Sequence, residues 1–446
     1  MSGHPKILKT LFFTEMWERF SFYGMRALLV LYLVNGLRYQ PNQALQVYAA
    51  YTALVYITPI LGGYLADKYI NNVNAIFLGG LLMMIGHFLL AFEFLFFFGL
   101  AFLVLGNGFF KPNISSLLST LYKYKPESLR DEGFSFFYIG INLGAFFAPL
   151  IIGFVGESYS WHAGFFLAAF GMLIGLITFF LKISNSKEIT VDFNRQLICK
   201  WFLALSAVLS IIVLVPWWLT LSLCLIVSSV IIYKSKSQQI TAEETKSIQY
   251  ILYLGIFSVI FWMGFEQAGG SLTLFTNTKV NRNLFNFTIP TTFFLAINPL
   301  IIITLGMILA RLWTRLEKNY AITTPLKMSG GLFLLGLGFF VLAILQNKDQ
   351  IHFSWIILIY FFHTLGELCL SPTSLSKVSS VAPDRLRSFM LGVWFLTFAI
   401  ASYLAGMLPI ITQSFNVNLF SFLAIISIVS CIVLIFLNKF INKLIL

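Results

Sequence analysis

The chain has 446 residues, 59% hydrophobic and only 10% charged, with 49 phenylalanines. So few polar groups cannot cover a water-soluble fold, and the composition indicates a polytopic membrane protein. The net charge of +12 is spread over loops and span ends, where it sets orientation; it is not the footprint of a nucleic-acid surface.

Apolar stretches predict spans near residues 7–36, 44–66, 74–92, 95–122, 133–156 and 161–183. The first is too long for a signal-peptide core and no small-residue cleavage site follows it, so it is expected to be a permanent span. Two short spans follow near 199–215 and 217–233, with Pro216-Trp217-Trp218 at their turn. Six more are expected near 247–276, 290–312, 326–346, 353–380, 387–410 and 418–440. The fold class is therefore all-α, with fourteen transmembrane helices read as six, two and six. Residues 1–183 form an N-terminal six-helix bundle, 184–246 two linkers and a helical hairpin on the outside of the bundle, and 247–446 a C-terminal six-helix bundle. An even count places both termini on one side. Only Arg38, Lys279, Arg282 and Lys348 fall in loops on the other side, so the termini are expected in the cytoplasm. Cys199, Cys224, Cys369 and Cys431 lie scattered in apolar segments and suggest neither disulfides nor a metal site.

Seven ionisable side chains fall at membrane depth: Glu15, Glu18, Arg19 and Arg26 in the first span, Lys111 in the fourth, Glu266 in the seventh main span and Glu367 in the tenth. Each costs on the order of 3 kcal/mol at the centre of a bilayer. Three cations against four anions suggest pairing inside a wet bundle. Glu15, Arg19 and Arg26 share one helical face, which Phe22 and Tyr23 complete; Glu18 with Arg19 fits an ion pair within the helix. Lys111 sits in Gly106-Asn107-Gly108-Phe109-Phe110-Lys111-Pro112, where glycines and proline loosen the helix. Tyr138 and Asn142 are four apart and suit a zwitterionic ligand or polar contact between helices. Trp262 and Glu266 repeat that spacing, as do Glu367 and Ser371. Pro372 is expected to break its helix after Ser371, and Asn298-Pro299 to do likewise. Spacing alone makes Trp394 a packing residue.

The loop Gly62-Gly63-Tyr64-Leu65-Ala66-Asp67-Lys68 resembles the loop motif of the major facilitator superfamily. Its glycines allow close helix contact, and Asp67 is expected to meet a helix N-terminus. Glu15-Met16-Trp17-Glu18-Arg19-Phe20-Ser21-Phe22-Tyr23-Gly24 resembles the ExxERFxYYG signature of the proton-coupled oligopeptide transporter (POT, or PTR) family. Phe134 to Phe146, Phe-Phe-Lys-Pro at Lys111, Trp-x-x-x-Glu-Gln at Trp262 and Gly-Glu-Leu-x-x-Ser-Pro at Glu367 also match. The resemblance covers the whole chain, including the six-two-six plan of bacterial members. Two positions depart: Phe22 replaces a tyrosine, and Asn71 stands where a glycine is usual.

The resemblance implies a major facilitator fold and import of di- and tripeptides with protons by alternating access. It implies peptide contacts from Tyr23, Arg26, Tyr56, Lys111, Tyr138, Asn142, Trp262, Asn298, Glu367, Ser371 and Trp394. Arg26 and Lys111 would face the peptide carboxylate, and Glu367 with Asn142 and Asn298 its amine. Glu15, Glu18, Arg19 and Glu266 would carry proton coupling, and Arg26 with Glu266 and Lys111 with Glu367 would be gating pairs. The expected partners are peptide, protons and the lipid of a bacterial inner membrane, with a monomer as the working unit, no nucleic acid and no cofactor. The alternative is a transporter of the same fold for nitrate, an amino acid or a drug. A membrane-embedded enzyme lacks support, because the loop acids Asp67, Asp131-Glu132 and Glu243-Glu244 have no His or Cys nearby.

Overall fold

The structure is a computed structural model that describes residues 3–184, 186, 193–212, 241–320, 322–383 and 386–445. A bilayer offers no hydrogen bonds to the backbone, so apolar chain of this length folds as helices that satisfy themselves. The helices are α1 (Ile7–Leu31), α2 (Pro41–Leu65), α3 (Asn72–Leu90), α4 (Phe96–Leu121), α5 (Glu127–Ser158), α6 (Trp161–Ile183) and α7 (Arg195–Ile212). Then come α8 (Ala242–Phe265), α9 (Ser271–Lys279), α10 (Ile297–Asn319), α11 (Thr324–Leu345), α12 (Ser354–Val381), α13 (Arg387–Ser414) and α14 (Leu419–Asn442). Eleven helical segments among the described residues are long and apolar enough to span a membrane; α1 has the length, but its charges set it apart. The hairpin's second span, expected near 217–233, lies outside the described residues.

The chain divides into two compact units: Met1–Arg38 with Leu54–Ser228, and Tyr39–Ala53 with Ser229–Leu446. In the first, α1 packs against α5 and α6, and α3 against α4. Glycines permit these approaches. A Cβ on Gly144 would come within 2.3 Å of the Met16 carbonyl oxygen, and one on Gly62 within 2.1 Å of the Gly108 oxygen. Gly63 meets only Pro112, at 3.6 Å, so the close contact expected of the glycine pair belongs to Gly62. Ile198 of α7 packs on Ala66, Ile70 and Phe109. In the second unit, α11 packs on α12 and α14, and α8 on α13. The start of α2 belongs here: the Asn42 side-chain amide donates to Gln413 Oε1 (2.7 Å), and Ala49 lies on Gly406.

The seventh main span is not one helix. It runs as α8, a 3₁₀ turn at Glu266–Gly269, and α9. Gly269-Gly270 weakens the helix by about 1 kcal/mol per glycine relative to alanine, and neighbours satisfy the freed groups. Thr273 Oγ1 (2.6 Å) and the Tyr360 hydroxyl (3.4 Å) both donate to the Ala268 carbonyl. Gln267 Nε2 donates to the Met263 carbonyl one turn back (3.3 Å) and also to the Ala405 carbonyl of α13 (2.8 Å).

Two expectations about proline are corrected. α12 continues unbroken through Pro372, and Pro299 lies in the first turn of α10 after a 3₁₀ stretch, Thr291–Ala296. The first turn of a helix has no intrahelical partner for its N–H groups, so proline is accommodated there. Asp67 is also corrected: it is exposed, and the cap of α3 is Asn71, whose Oδ1 accepts from the Asn74 N–H (2.9 Å). Asn71 has φ 72° and ψ 159°, a region that is nearly glycine-only and costs other residues about 1–3 kcal/mol. That accounts for a glycine being usual at this position. Asn71→Gly is expected to raise the apparent melting temperature in detergent, because losing the cap costs only a few tenths of a kcal/mol. Asn71→Ala loses the cap and keeps the strain, so it should melt below wild type. A glycine variant that melts at or below wild type would contradict the strain.

Candidate charge sites in the two units

In the first unit the charges gather around α1. Glu15, Glu18 and Arg19 are 3%, 0% and 3% exposed. Arg19 Nε is 3.0 Å from Glu15 Oε1 and also contacts Glu18 Oε2. Both pairs lie within one helix, so α1 carries its own counterions into the bundle. The pairing is incomplete: Glu15 Oε2, Glu18 Oε1 and Arg19 Nη2 are buried with no hydrogen-bond partner. Two carboxylates share one guanidinium and remain short of donors, so the charges of this group are incompletely compensated.

Lys111 comes to the same place from α4 and interacts electrostatically with Arg19, Glu18, Glu15 and Arg26. Its Nζ lies 5.1 Å from the centre of the Tyr56 ring, a cation–π distance. The α2–α4 approach sets this up: Thr58 Oγ1 donates to the Val104 carbonyl (2.9 Å), and Gly62 lies on Gly108. α4 runs unbroken through Pro112, so the loosening expected around Lys111 does not interrupt it. The cluster of Glu15, Glu18, Arg19, Arg26 and Lys111 carries one net positive charge when all are ionised.

Phe22 is buried, with its ring 5.4 Å from the Arg19 guanidinium and 5.4 Å from the half-buried Tyr23 ring. The position lacking a hydroxyl therefore shields the ion pairs of α1. On α5, Tyr138 is 49% exposed. Asn142 is buried and its Nδ2 donates to the Tyr138 carbonyl (3.0 Å), so its amide is engaged by its own helix.

In the second unit, Asn298 opens α10 and its Nδ2 donates to Glu367 Oε2 (2.7 Å) and to Thr364 Oγ1 (3.2 Å). Thr364 was not foreseen. It stands one turn before Glu367, and that three-residue spacing was the available signal. Ser371 is half-buried one turn further along α12. Glu266 is 4% exposed, at the helix break. Trp262 lies 4.6 Å from the Phe398 ring. Trp394 is fully buried in the unit's hydrophobic core, the packing position that spacing suggests. Arg26 and Lys111 belong to one unit and Glu266 and Glu367 to the other.

The profile of the POT family (PTR2) matches residues 73–425. A di-/tripeptide transporter of Lactococcus lactis subsp. cremoris is 33% identical over 482 aligned positions, covering 99% of this chain and 97% of that protein. The peptide transporter YePEPT of Yersinia enterocolitica is 32% identical, over 91% of this chain and 88% of its own. Among solved structures, a peptide transporter POT in complex with sulfate matches with a TM-score of 0.86 and 34% identity, covering 100% of this chain and 96% of that one. A variant of that kind in complex with alafosfalin matches equally well, with a TM-score of 0.86.

Proposed function

The chain belongs to the POT family, and from that premise we propose that it imports di- and tripeptides together with protons by alternating access. It is a transporter with the major facilitator fold. We assign it to a bacterial inner membrane as a monomer with both termini cytoplasmic. The observation that carries this reading is the charge cluster of α1 and α4, in which Glu15, Glu18 and Arg19 are buried and Arg26 and Lys111 half-buried. Its two carboxylates share one guanidinium and suit proton exchange. Its excess cation suits a carboxylate ligand.

Arg26 and Lys111 take the peptide carboxylate. Glu367, held by Asn298 and Thr364, takes the amine. The peptide termini compete for the same charges that the gating pairs are expected to use, which offsets the cost of desolvating both. Protonation of a buried carboxylate weakens its hold on a cation, and this links proton uptake to release of the gate. Tyr23, Tyr56 and Tyr138 supply aromatic wall, and Trp262 a side-chain surface. The test is competition. Unlabelled dialanine and trialanine should suppress uptake of labelled dialanine, while alanine and nitrate should not. Suppression by nitrate or alanine at equal concentration would overturn the peptide assignment.

A further inference from the structure

A second site lies within the second unit, lined by neither Glu367 nor Glu266. The ends of α10 and α12 and the first turn of α11 enclose a cleft of about 440 Å³, lined in part by Trp313, Glu317, Lys327, Ser376 and Lys377. Its chemistry is mixed in a particular way. Lys327 is buried and its Nζ pairs with Glu317 while lying 5.4 Å over the Trp313 ring. The Trp313 Nε1–H is itself buried and has no hydrogen-bond partner. Lys377 of α12, half-buried, lines the same cleft and makes no ion pair among the described residues. Arg311, Arg315 and Lys318, all exposed, follow on the same last turns of α10. Among the described residues that line the cleft, Glu317 is the single acid beside two cations, Lys327 and Lys377, and its side chain is 44% exposed.

Immediately before these cations, α10 exposes an apolar stripe, with Met307 70%, Ile308 60% and Leu312 46% exposed. Such a stripe belongs against acyl chains. A band of cations with a tryptophan at its border belongs at headgroup depth. The loop between α10 and α11 lies on the side that the charge bias assigns to the cytoplasm. We infer that this cleft binds the phosphate of an anionic phospholipid, such as phosphatidylglycerol, from the cytoplasmic leaflet. The phosphodiester takes the place of the Glu317 carboxylate at Lys327 and gains Lys377. It also accepts the unpartnered Trp313 Nε1–H. The acyl chains lie along Leu309, Ala310 and Leu368, which line the same cleft. Basic pockets between transmembrane helices hold anionic headgroups by this logic. Nothing in the inference depends on which solute the protein carries.

The test is native mass spectrometry of the purified full chain, counting lipid adducts retained from detergent spiked with phosphatidylglycerol or with phosphatidylcholine of the same chain length. Wild type should retain phosphatidylglycerol in preference. Lys377→Ala should weaken that retention about fivefold, the expectation for one lysine near a lipid phosphate. Trp313→Phe should lower retention as well while keeping the ring under Lys327. Both positions are at least partly exposed, so both variants should fold, and size-exclusion chromatography with circular dichroism reports that they do. Added inorganic phosphate should not displace the lipid. Equal retention of the two lipids, retention unchanged in both variants, or displacement by free phosphate would overturn the inference.

Discussion

Glu266→Gln is expected to abolish proton-driven accumulation of dialanine and to leave peptide counterflow intact. Glu266 is almost completely buried at the turn where α8 gives way to α9. The glutamine side chain matches the shape of a protonated glutamate and cannot release a proton. Counterflow exchanges peptide for peptide and needs no net proton movement, so it survives. With one proton per peptide, an inward gradient of one pH unit supports about tenfold accumulation, the equivalent of about 1.4 kcal/mol. The variant's accumulation ratio should fall to about one. An unchanged ratio would remove Glu266 from the coupling path and leave that role to Glu15 and Glu18. A variant dead in both assays would instead assign Glu266 to holding the α8–α9 turn.

Lys111→Ala should weaken dialanine binding at least 30-fold. Removing one partner of a desolvated charge pair costs about 2–5 kcal/mol, and 2 kcal/mol is about 30-fold. The control is dialanine with an amidated C-terminus, which has no carboxylate to meet. Wild type and variant should bind it with equal, weak affinity. Wild-type uptake of dialanine by Lys111→Ala would return Lys111 to a structural role, stacked on Tyr56. Arg19 is a poor target for the same purpose. Its loss would leave Glu15 and Glu18 facing each other without a counterion, and the damage would be to the fold of α1.

The helices were legible because a bilayer fixes their length and excludes other backbone solutions. The span expected near 161–183 is Trp161–Ile183, and that near 418–440 is Leu419–Asn442. The Glu15–Arg19 contact was legible too, since residues four apart on a helix must meet. The misreadings have a common cause: what one residue does depends on the neighbour that packs against it. Pro372 does not end α12, whereas Gly269-Gly270 interrupts the seventh span, where Thr273 and Tyr360 take the Ala268 carbonyl and Gln267 that of Met263. Asp67 looked like a cap, but the left-handed backbone at Asn71 puts the capping oxygen there. The substitution at Phe22 raised a question about peptide contacts. Its ring lies 5.4 Å from the Arg19 guanidinium, so it bears on the charge cluster of α1. Trp394 shows the limit from the other side: family resemblance suggests a pocket wall, and the side chain is enclosed by its own bundle.

Under the proposed function, peptide movement is driven by protons through these charges. Uptake of labelled dialanine into proteoliposomes of the purified protein tests it most directly, with and without an inward proton gradient. The account predicts accumulation above the external concentration when the gradient is present, and equilibration only when it is collapsed. Equal uptake under the two conditions would contradict it.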